Sequence, residues 1–360
     1  MLYSTILAGG SGTRLWPLSR ACEPKFLHPL TGTDRSLLQA TVDRVGPLSA
    51  PEQTYVVTGT AHAAAIARQL PDVPERNILV EPSPRDSCAA VSLASAVLAR
   101  RDPDAIMAVF SADHLIGDEA RFQQVMTQAA AAAQDGYLVT IGIRPLHAEV
   151  RFGYLKVGDE LPGQGRAVAE FREKPSLELA ASYVESGQYL WNAGIFAFKV
   201  AGFLAELARQ RPQLAAGIAA IADAWDSPGQ QRVLDETWPG LEKVSVDYGV
   251  FEGAAAAGKV ATIPADMPWS DVGDFDSLGA SLPTDESGNL LIASRGLLVT
   301  RDVKDAVIVS TTDRVVAVIG LDDVVVVDTA DATLVCARDR AQEVKQVVEE
   351  LRGRGEHGCL

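Results

Sequence analysis

An apolar, strand-like run, Tyr3–Ala8, is cut off by Gly9, Gly10, Ser11, Gly12, Thr13 and Arg14, and this break restricts what can follow. A stretch with almost no side chains but a full set of backbone N–H groups can wrap closely around a phosphate chain. Arg14 adds a rigid fork of donors suited to phosphate oxygens, and Lys25, held behind Pro24, adds a mobile second charge. With no basic neighbour the glycines would read equally well as a plain turn. The segment lacks the third glycine of a dinucleotide fingerprint, and the chain contains no Gly-Lys-Ser or Gly-Lys-Thr.

Charge sharpens this reading. The 360-residue chain carries a formal net charge of −15, yet residues 1–25 hold Arg14, Arg20 and Lys25 against Glu23 alone. A basic pocket in an acidic protein suits a small polyanion and argues against nucleic acid or an anionic membrane as partner. A hydrophobic content of 47% is enough for one large core and a second small one. No apolar run reaches membrane-spanning length, no signal-peptide pattern opens the chain, and a cytoplasmic protein is expected. Cys22, Cys88, Cys336 and Cys359 show no paired spacing and no His/Cys cluster exists, so any metal should be bound by oxygen.

Along the chain, short apolar runs alternate with helical patterns in the rhythm of a parallel sheet. Strands are expected at 53–58, 78–80, 105–110 and 138–143, and helices at 37–45, 61–70, 86–100 and 120–134, with Asp86 or Ser87 as a cap. From 152 the strands look antiparallel, long helical patterns cover 200–224, and Asp274 is placed to start a short helix. Composition turns to Pro, Thr, Asp, Ser and Gly near 281–288, and at least five short Val/Ile/Leu strands follow before a closing helix at 341–352. The reading is an α/β catalytic domain, 1–282, and a small β-solenoid or β-roll module, 283–360, whose exposed strand face suits a homodimer.

Two carboxylates stand out as candidate metal ligands. Asp113 follows the buried run 105–110 and Asp271 lies in Trp269-Ser270-Asp271-Val272-Gly273-Asp274. Both also read as ordinary loop or capping aspartates; brought together without soft ligands, they suit Mg²⁺ sharing its shell with phosphates. Phe171-Arg172-Glu173-Lys174-Pro175 offers an ammonium for a sugar phosphate and a carboxylate for sugar hydroxyls, though alone it reads as a surface ion pair.

GGSGTRLWPLSR followed by EPKFL resembles the signature loop of the sugar nucleotidyltransferases, and among them the bacterial mannose-1-phosphate guanylyltransferases. FGY, FREKP and WNAGIF match, in order, the family's sugar-binding segments, and the likeness extends through VAVIGLDDVVVVDT. It implies a Rossmann-like, GT-A-like mixed sheet and the reaction of GTP with α-D-mannose 1-phosphate to give GDP-mannose and diphosphate. Leu7, Ala8, Gly9, Gly10, Ser11, Gly12, Thr13, Arg14, Lys25, Glu81, Pro82, Arg85, Ser87, Ser111 and Asp113 would then bind the nucleotide. Gly153, Tyr154, Glu173, Lys174, Asn192 and Gly194 would bind the sugar phosphate, Asp113 and Asp271 would hold Mg²⁺, and Arg14, Lys25, Asp113, Lys174 and Asp271 would be catalytic.

Asp86-Ser87 stands where Asn-Thr is frequent in the family, and PKFL lacks a common following glutamine, which bears on base selectivity more than on reaction class. Bifunctional relatives carry a further isomerase domain, and isomerase activity is not expected here. The alternatives are a nucleotidyltransferase for another sugar 1-phosphate, such as a heptose, or another base, and a non-catalytic GDP-mannose-binding regulator. Joining two anions demands positioned cations more than an acid or base, and retention of all five catalytic residues favours the enzyme.

Overall fold

In the computed structural model the described residues are 1–360 except Ser11, Gly163, Gln164, His357 and Cys359. The expected nucleotide contact at Ser11 therefore lies outside the described residues, as does Cys359. The chain divides into two compact units, one of residues 1–9, 41–112 and 116–267, the other of residues 10–40, 113–115 and 268–360.

In chain order the elements are β1 (Leu2–Ala8), α1 (Leu37–Val45), β2 (Thr54–Gly59), α2 (Ala63–Gln69), β3 (Ile78–Glu81), α3 (Asp86–Arg101), β4 (Ile106–Ser111) and β5 (Leu115–Ile116). Then come α4 (Glu119–Gln134), β6 (Leu138–Ile143), β7 (Gly153–Glu160), β8 (Arg166–Arg172), α5 (Leu177–Ser186), β9 (Tyr189–Lys199), α6 (Val200–Gln210), α7 (Pro212–Ala224) and α8 (Gln230–Thr237). The rest are α9 (Glu252–Ala256), β10 (Val260–Ala265), β11 (Trp269–Ser270), α10 (Phe275–Ser281), β12 (Leu290–Ala293), β13 (Leu297–Arg301), β14 (Val307–Ser310), β15 (Val315–Ile319), β16 (Val324–Asp328), β17 (Thr333–Ala337) and α11 (Val344–Gly353).

The first unit is built on a nine-stranded sheet in the order β3-β2-β1-β4-β9-β6-β10-β8-β7. β3, β2, β1 and β4 run parallel, so Ala8, Glu81 and Ser111 all lie at or near one sheet edge, the carboxyl edge where open α/β sheets bind ligands. β9 is antiparallel to both β4 and β6, and β7–β8 is an antiparallel hairpin, which makes the sheet mixed. Among the described residues no helix is long and apolar enough to cross a membrane.

The second unit contains the expected short strands and one more, β17. β12, β14 and β16 pair in parallel with β17 antiparallel at their edge, and β13 pairs in parallel with β15, the ladders of a small solenoid. Its core joins Leu15, Trp16, Leu18, Leu30 and Leu37 to Val272, Phe275, Leu290, Val307, Val325, Val344 and Val348.

Several local expectations need correction. The helical patterns expected over 200–224 are α6 and α7, which part at Arg211 because Pro212 opens α7 as its first residue. α8 was not expected, since its Gln230-Gln231-Arg232 start and single buried residue, Leu234, leave little apolar periodicity. Neither Asp86 nor Ser87 caps α3: Asp86 takes φ 63° and its carboxylate accepts from the Ser87 N–H, while the Ser87 hydroxyl accepts from the Val246 N–H at 2.9 Å. Asp274 does cap α10, accepting from Ser277 N–H at 2.8 Å while Ser277 Oγ accepts from Asp274 N–H at 3.0 Å.

Candidate active site

Within the second unit the signature loop closes on itself. Leu15 N–H donates to Gly12 O at 2.9 Å and Trp16 N–H to Thr13 O at 3.2 Å, which presents Arg14 on a tight turn. Gly10 and Gly12 have φ of 89° and 60°. A Cβ on Gly12 would lie 3.0 Å from Lys25 Cγ, so this glycine satisfies both the backbone and the lysine stem that passes over it.

Lys25 meets one of the two expected ligand carboxylates, that of Asp113, and at Asp271 it meets the backbone alone. Its Nζ lies 2.9 Å from Asp113 Oδ2 and donates to the backbone oxygens of Asp271 at 2.9 Å and Val272 at 3.0 Å. Val272 holds φ 46°, costly for a β-branched residue and stored here to turn that carbonyl toward the ammonium. Asp113 Oδ2 and the Asp271 and Val272 carbonyl oxygens surround the Lys25 ammonium, so the segments that carry Asp113 and Asp271 come together and their donors are oxygens, the chemistry a hard divalent ion requires. Among the described residues no three His, Cys, Asp or Glu side chains gather as a cage, so an ion here would complete its shell from substrate phosphates and water.

Within the first unit the nucleotide-binding candidates occupy the carboxyl edge of the sheet. Leu7 O accepts from Ala112 N–H at 3.0 Å, Ala8 O accepts from Thr58 Oγ1 at 2.8 Å, and Leu7 is paired with Ser111. Glu81 ends β3; its Oε1 is buried with no hydrogen-bond partner, and burial pushes its carboxyl up to about 7. The segment after it is pinned by the 238–246 stretch: Trp238 Nε1 donates to Ser83 O at 2.7 Å and Cys88 N–H to Val244 O at 3.1 Å. Arg85 donates to the Leu241 and Pro239 carbonyls, so it braces this segment. Pro82 lies in the turn that follows Glu81, and Gly9 is exposed directly after β1.

The sugar-phosphate candidates converge on β7, β8 and β9. Gly153 is paired with Asn192, and a Cβ on it would fall 2.5 Å from Glu173 Oε2, so only glycine leaves that carboxylate its place. Glu173 Oε1 pairs with Lys174 Nζ at 2.7 Å. Burial works against the ammonium, but that contact outweighs it and holds the Lys174 pKa above its ordinary value. Asn192 Oδ1 accepts from Thr140 Oγ1 at 2.6 Å and Gly194 N–H at 3.2 Å. Tyr154 is fully buried and its hydroxyl oxygen accepts from Glu149 N–H at 3.0 Å, which makes its side chain a core element. Asp247, which is not among the candidates taken from the sequence, joins this cluster: Asn192 Nδ2 donates to its Oδ1 at 2.8 Å.

The nucleotidyl transferase family profile matches residues 3–287, and that of the MannoseP isomerase/GMP-like β-helix domain matches residues 298–351. A mannose-1-phosphate guanylyltransferase of Escherichia coli (strain K12) is 36% identical over 365 residues, covering 99% of this chain and 74% of that protein. The chain belongs to the mannose-1-phosphate guanylyltransferase family of nucleotidyl transferases. This guanylyltransferase-family chain is also 40% identical to the xanthan biosynthesis protein XanB of Xanthomonas campestris pv. campestris (strain B100) over 361 residues, 97% of this chain and 73% of that one. A solved structure described as a mannose-1-phosphate geranyltransferase, from Thermus thermophilus, superposes with TM-score 0.86 at 33% identity, covering 98% of this chain and 99% of that chain. The family member's fold and enzyme class are thereby those expected from its loop, sheet and solenoid.

Proposed function

We propose that the enzyme joins GTP and α-D-mannose 1-phosphate to give GDP-mannose and diphosphate, by in-line attack of the sugar phosphate on the α-phosphorus. The barrier is repulsion between anions, and the residues in hand answer it with charge and orientation. Arg14 and the backbone N–H groups of the glycine loop would neutralise the departing diphosphate. Lys25 would exchange its bonds to Asp113 and the 271–272 carbonyls for the α-phosphate, and Lys174 would hold the attacking phosphate. Asp113 and Asp271 fit Mg²⁺, which when bound supplies charge stabilisation to phosphate oxygens. We assign this chemistry to residues 1–282, supported by 283–360, in a cytoplasmic homodimer.

The observation that carries the choice of base is Glu81 at the carboxyl edge of β3, whose Oε1 is buried with no hydrogen-bond partner. The Watson–Crick edge of guanine presents adjacent N1–H and N2–H donors, which a carboxylate accepts side by side; adenine offers no such pair. The experiment is diphosphate release with mannose 1-phosphate, Mg²⁺ and each common NTP in turn, in wild type and in Glu81→Gln. Expected is turnover with GTP, and a fall in kcat/KM for GTP on the order of 100-fold in the variant because a site built to pair these donors no longer does so. Because the carboxylate form is the acceptor, GTP affinity should rise with pH through about 7 in wild type alone. Turnover with another NTP in preference, or an unaffected variant, overturns the assignment.

A further inference from the structure

We propose that Asp247 is a sugar-binding residue that reads a pair of hydroxyls on the hexose 1-phosphate; this deepens, and rests on, the guanylyltransferase reading above. The starting point is the amide of Asn192. Its oxygen already accepts from Thr140 Oγ1 and from the Gly194 N–H, which fills both lone pairs and fixes the orientation of the group. Its Nδ2 then donates to Asp247 Oδ1 at 2.8 Å. Asn192 can offer a ligand one remaining N–H and no acceptor. A row of sugar hydroxyls needs acceptors, and the carboxyl groups of Glu173 and Asp247 are the ones this cluster holds.

The backbone places those two groups together. Between Asp247 and Phe251 the chain widens to i→i+5 turns before α9 resumes at Glu252, a local irregularity that helices retain mainly at functional positions. The same segment grips Glu173 from both sides: Tyr248 Oη donates to Glu173 O at 3.3 Å, and Glu252 Oε1 accepts from Glu173 N–H at 3.1 Å. Asp247 is not needed as a helix cap, because Ser245 Oγ accepts from Tyr248 N–H at 3.3 Å. Among the described residues Asn192 is the one side chain that donates to Asp247. A carboxyl group held this way, beside Glu173 and an oriented amide, matches a vicinal diol. Two hydroxyls donate to the carboxylates, one of them accepts from Asn192, and Lys174 is left for the phosphate.

The charge balance agrees with that role. Burial raises the Asp247 carboxyl to about 7, the Glu173 charge adds to the rise, and Lys174 and the Asn192 hydrogen bond oppose it. Cys88 from α3 feels the Asp247 charge together with those of Arg211 and Glu242, while Tyr248, next to Asp247 in the chain, feels Glu173, Glu252, Lys174 and Arg172. An incoming row of hydroxyl donors stabilises the carboxylate form, so sugar recognition by Asp247 strengthens as pH rises through about 7.

The test compares binding of GDP-mannose with binding of GDP to the intact enzyme by calorimetric titration, in wild type and in Asp247→Asn, beside the KM values for mannose 1-phosphate and GTP. Taking the ratio of the two ligands cancels everything done by the nucleotide end, Glu81 included. Expected in Asp247→Asn is a loss of GDP-mannose affinity of about tenfold or more, the size of one or two lost hydrogen bonds to a charged group, with GDP affinity unchanged. KM for mannose 1-phosphate should rise in proportion while KM for GTP stays, preference for mannose over glucose 1-phosphate should narrow, and the pH dependence of the ligand ratio should vanish. Equal losses for GDP and GDP-mannose would reduce Asp247 to a structural part and overturn the proposal, as would an unchanged ratio. If wild type itself fails to turn over mannose 1-phosphate, the guanylyltransferase reading fails first and Asp247 with it. A wild type that turns over while the variant keeps its sugar KM defeats this inference alone.

Discussion

Lys25 makes three contacts through one atom: Asp113 Oδ2 and the carbonyl oxygens of Asp271 and Val272. In the proposed reaction it is the cation offered to the α-phosphate, and in the structure it is the post that ties Asp113 to the 271–272 segment. Lys25→Met retains the stem that packs on Gly12 and removes only the ammonium. The variant removes one ion pair from the largely buried Asp113 carboxylate and one hydrogen bond from each of two carbonyls, a loss of about 1–3 kcal/mol, and should melt several degrees lower. Turnover, read by diphosphate release, should fall on the order of 100-fold or more, as when a positioned charge is lost from a transition state. Equal melting temperature and rate in the variant would remove Lys25 from both roles. The motif around Lys25 is what suggests a phosphate contact from the sequence. Its present partners were not legible, because they depend on a left-handed Val272, 247 positions downstream, and no local spacing encodes that turn.

At the scale of elements, the parallel half of the sheet could be read directly. Its strands are short apolar runs separated by helices, and periodicity is a local property. Contacts that close the site are not: Asn192 meets Asp247 across 55 residues and Trp238 meets Ser83 across 155, so the family-like segments were visible while their pairing was hidden. The tie of α6 to β10 is of the same kind. Glu206 on α6 is 3% exposed and accepts from Lys259 Nζ, beside β10, at 2.8 Å and from Gln210 Nε2 at 2.8 Å, with Arg209 as a further partner. Burial alone would raise its carboxyl, but the hydrogen bonds from Arg209, Lys259 and Gln210 prevail and hold it at about 2. A depressed carboxyl stabilises the fold above its ordinary value near 4.5, and that stabilisation is lost as pH falls toward 2. The loss amounts to about 3 kcal/mol at one pKa unit per 1.36 kcal/mol. Glu206→Gln should be destabilised by a similar amount at neutral pH and should converge on wild type in acid. Urea melts at stepped pH read this difference directly, and parallel curves for the two proteins would show that Glu206 does not anchor α6.

At the scale of the molecule, the C-terminal solenoid has two faces with different work. Inward, its strands and α11 share one core with Leu15 and Trp16, and Arg20 pairs with Asp331 at 2.7 Å, so the signature loop is supported by residues some 300 positions away. Outward, the β13–β15 ladder turns Leu297, Val299, Val315 and Ile319 to solvent, at 60%, 43%, 65% and 67% exposure, while Leu298, Val316 and Val318 pack inside. Parallel register sets Leu297 beside Val315 and Val299 beside Ala317, which makes the exposed side chains one continuous apolar strip. A chain of net charge −15 carries a general repulsion against its own copies, and an uncharged apolar strip of this kind offers a second copy a surface to lie on. A symmetric interface would cover it with the same strip from the partner, with the wider contact reaching the roughly 1,600 Å² typical of stable pairs. Light scattering should therefore give wild type twice the mass of the chain, and Leu297→Lys with Val315→Lys should give a single chain of unchanged secondary structure. Because the substituted side chains point away from the core that holds Leu15 and Trp16, the separated chains should keep their turnover. A monomeric wild type would leave the strip without this explanation, and inactive single chains would mean that the partner supports the site as well as the surface.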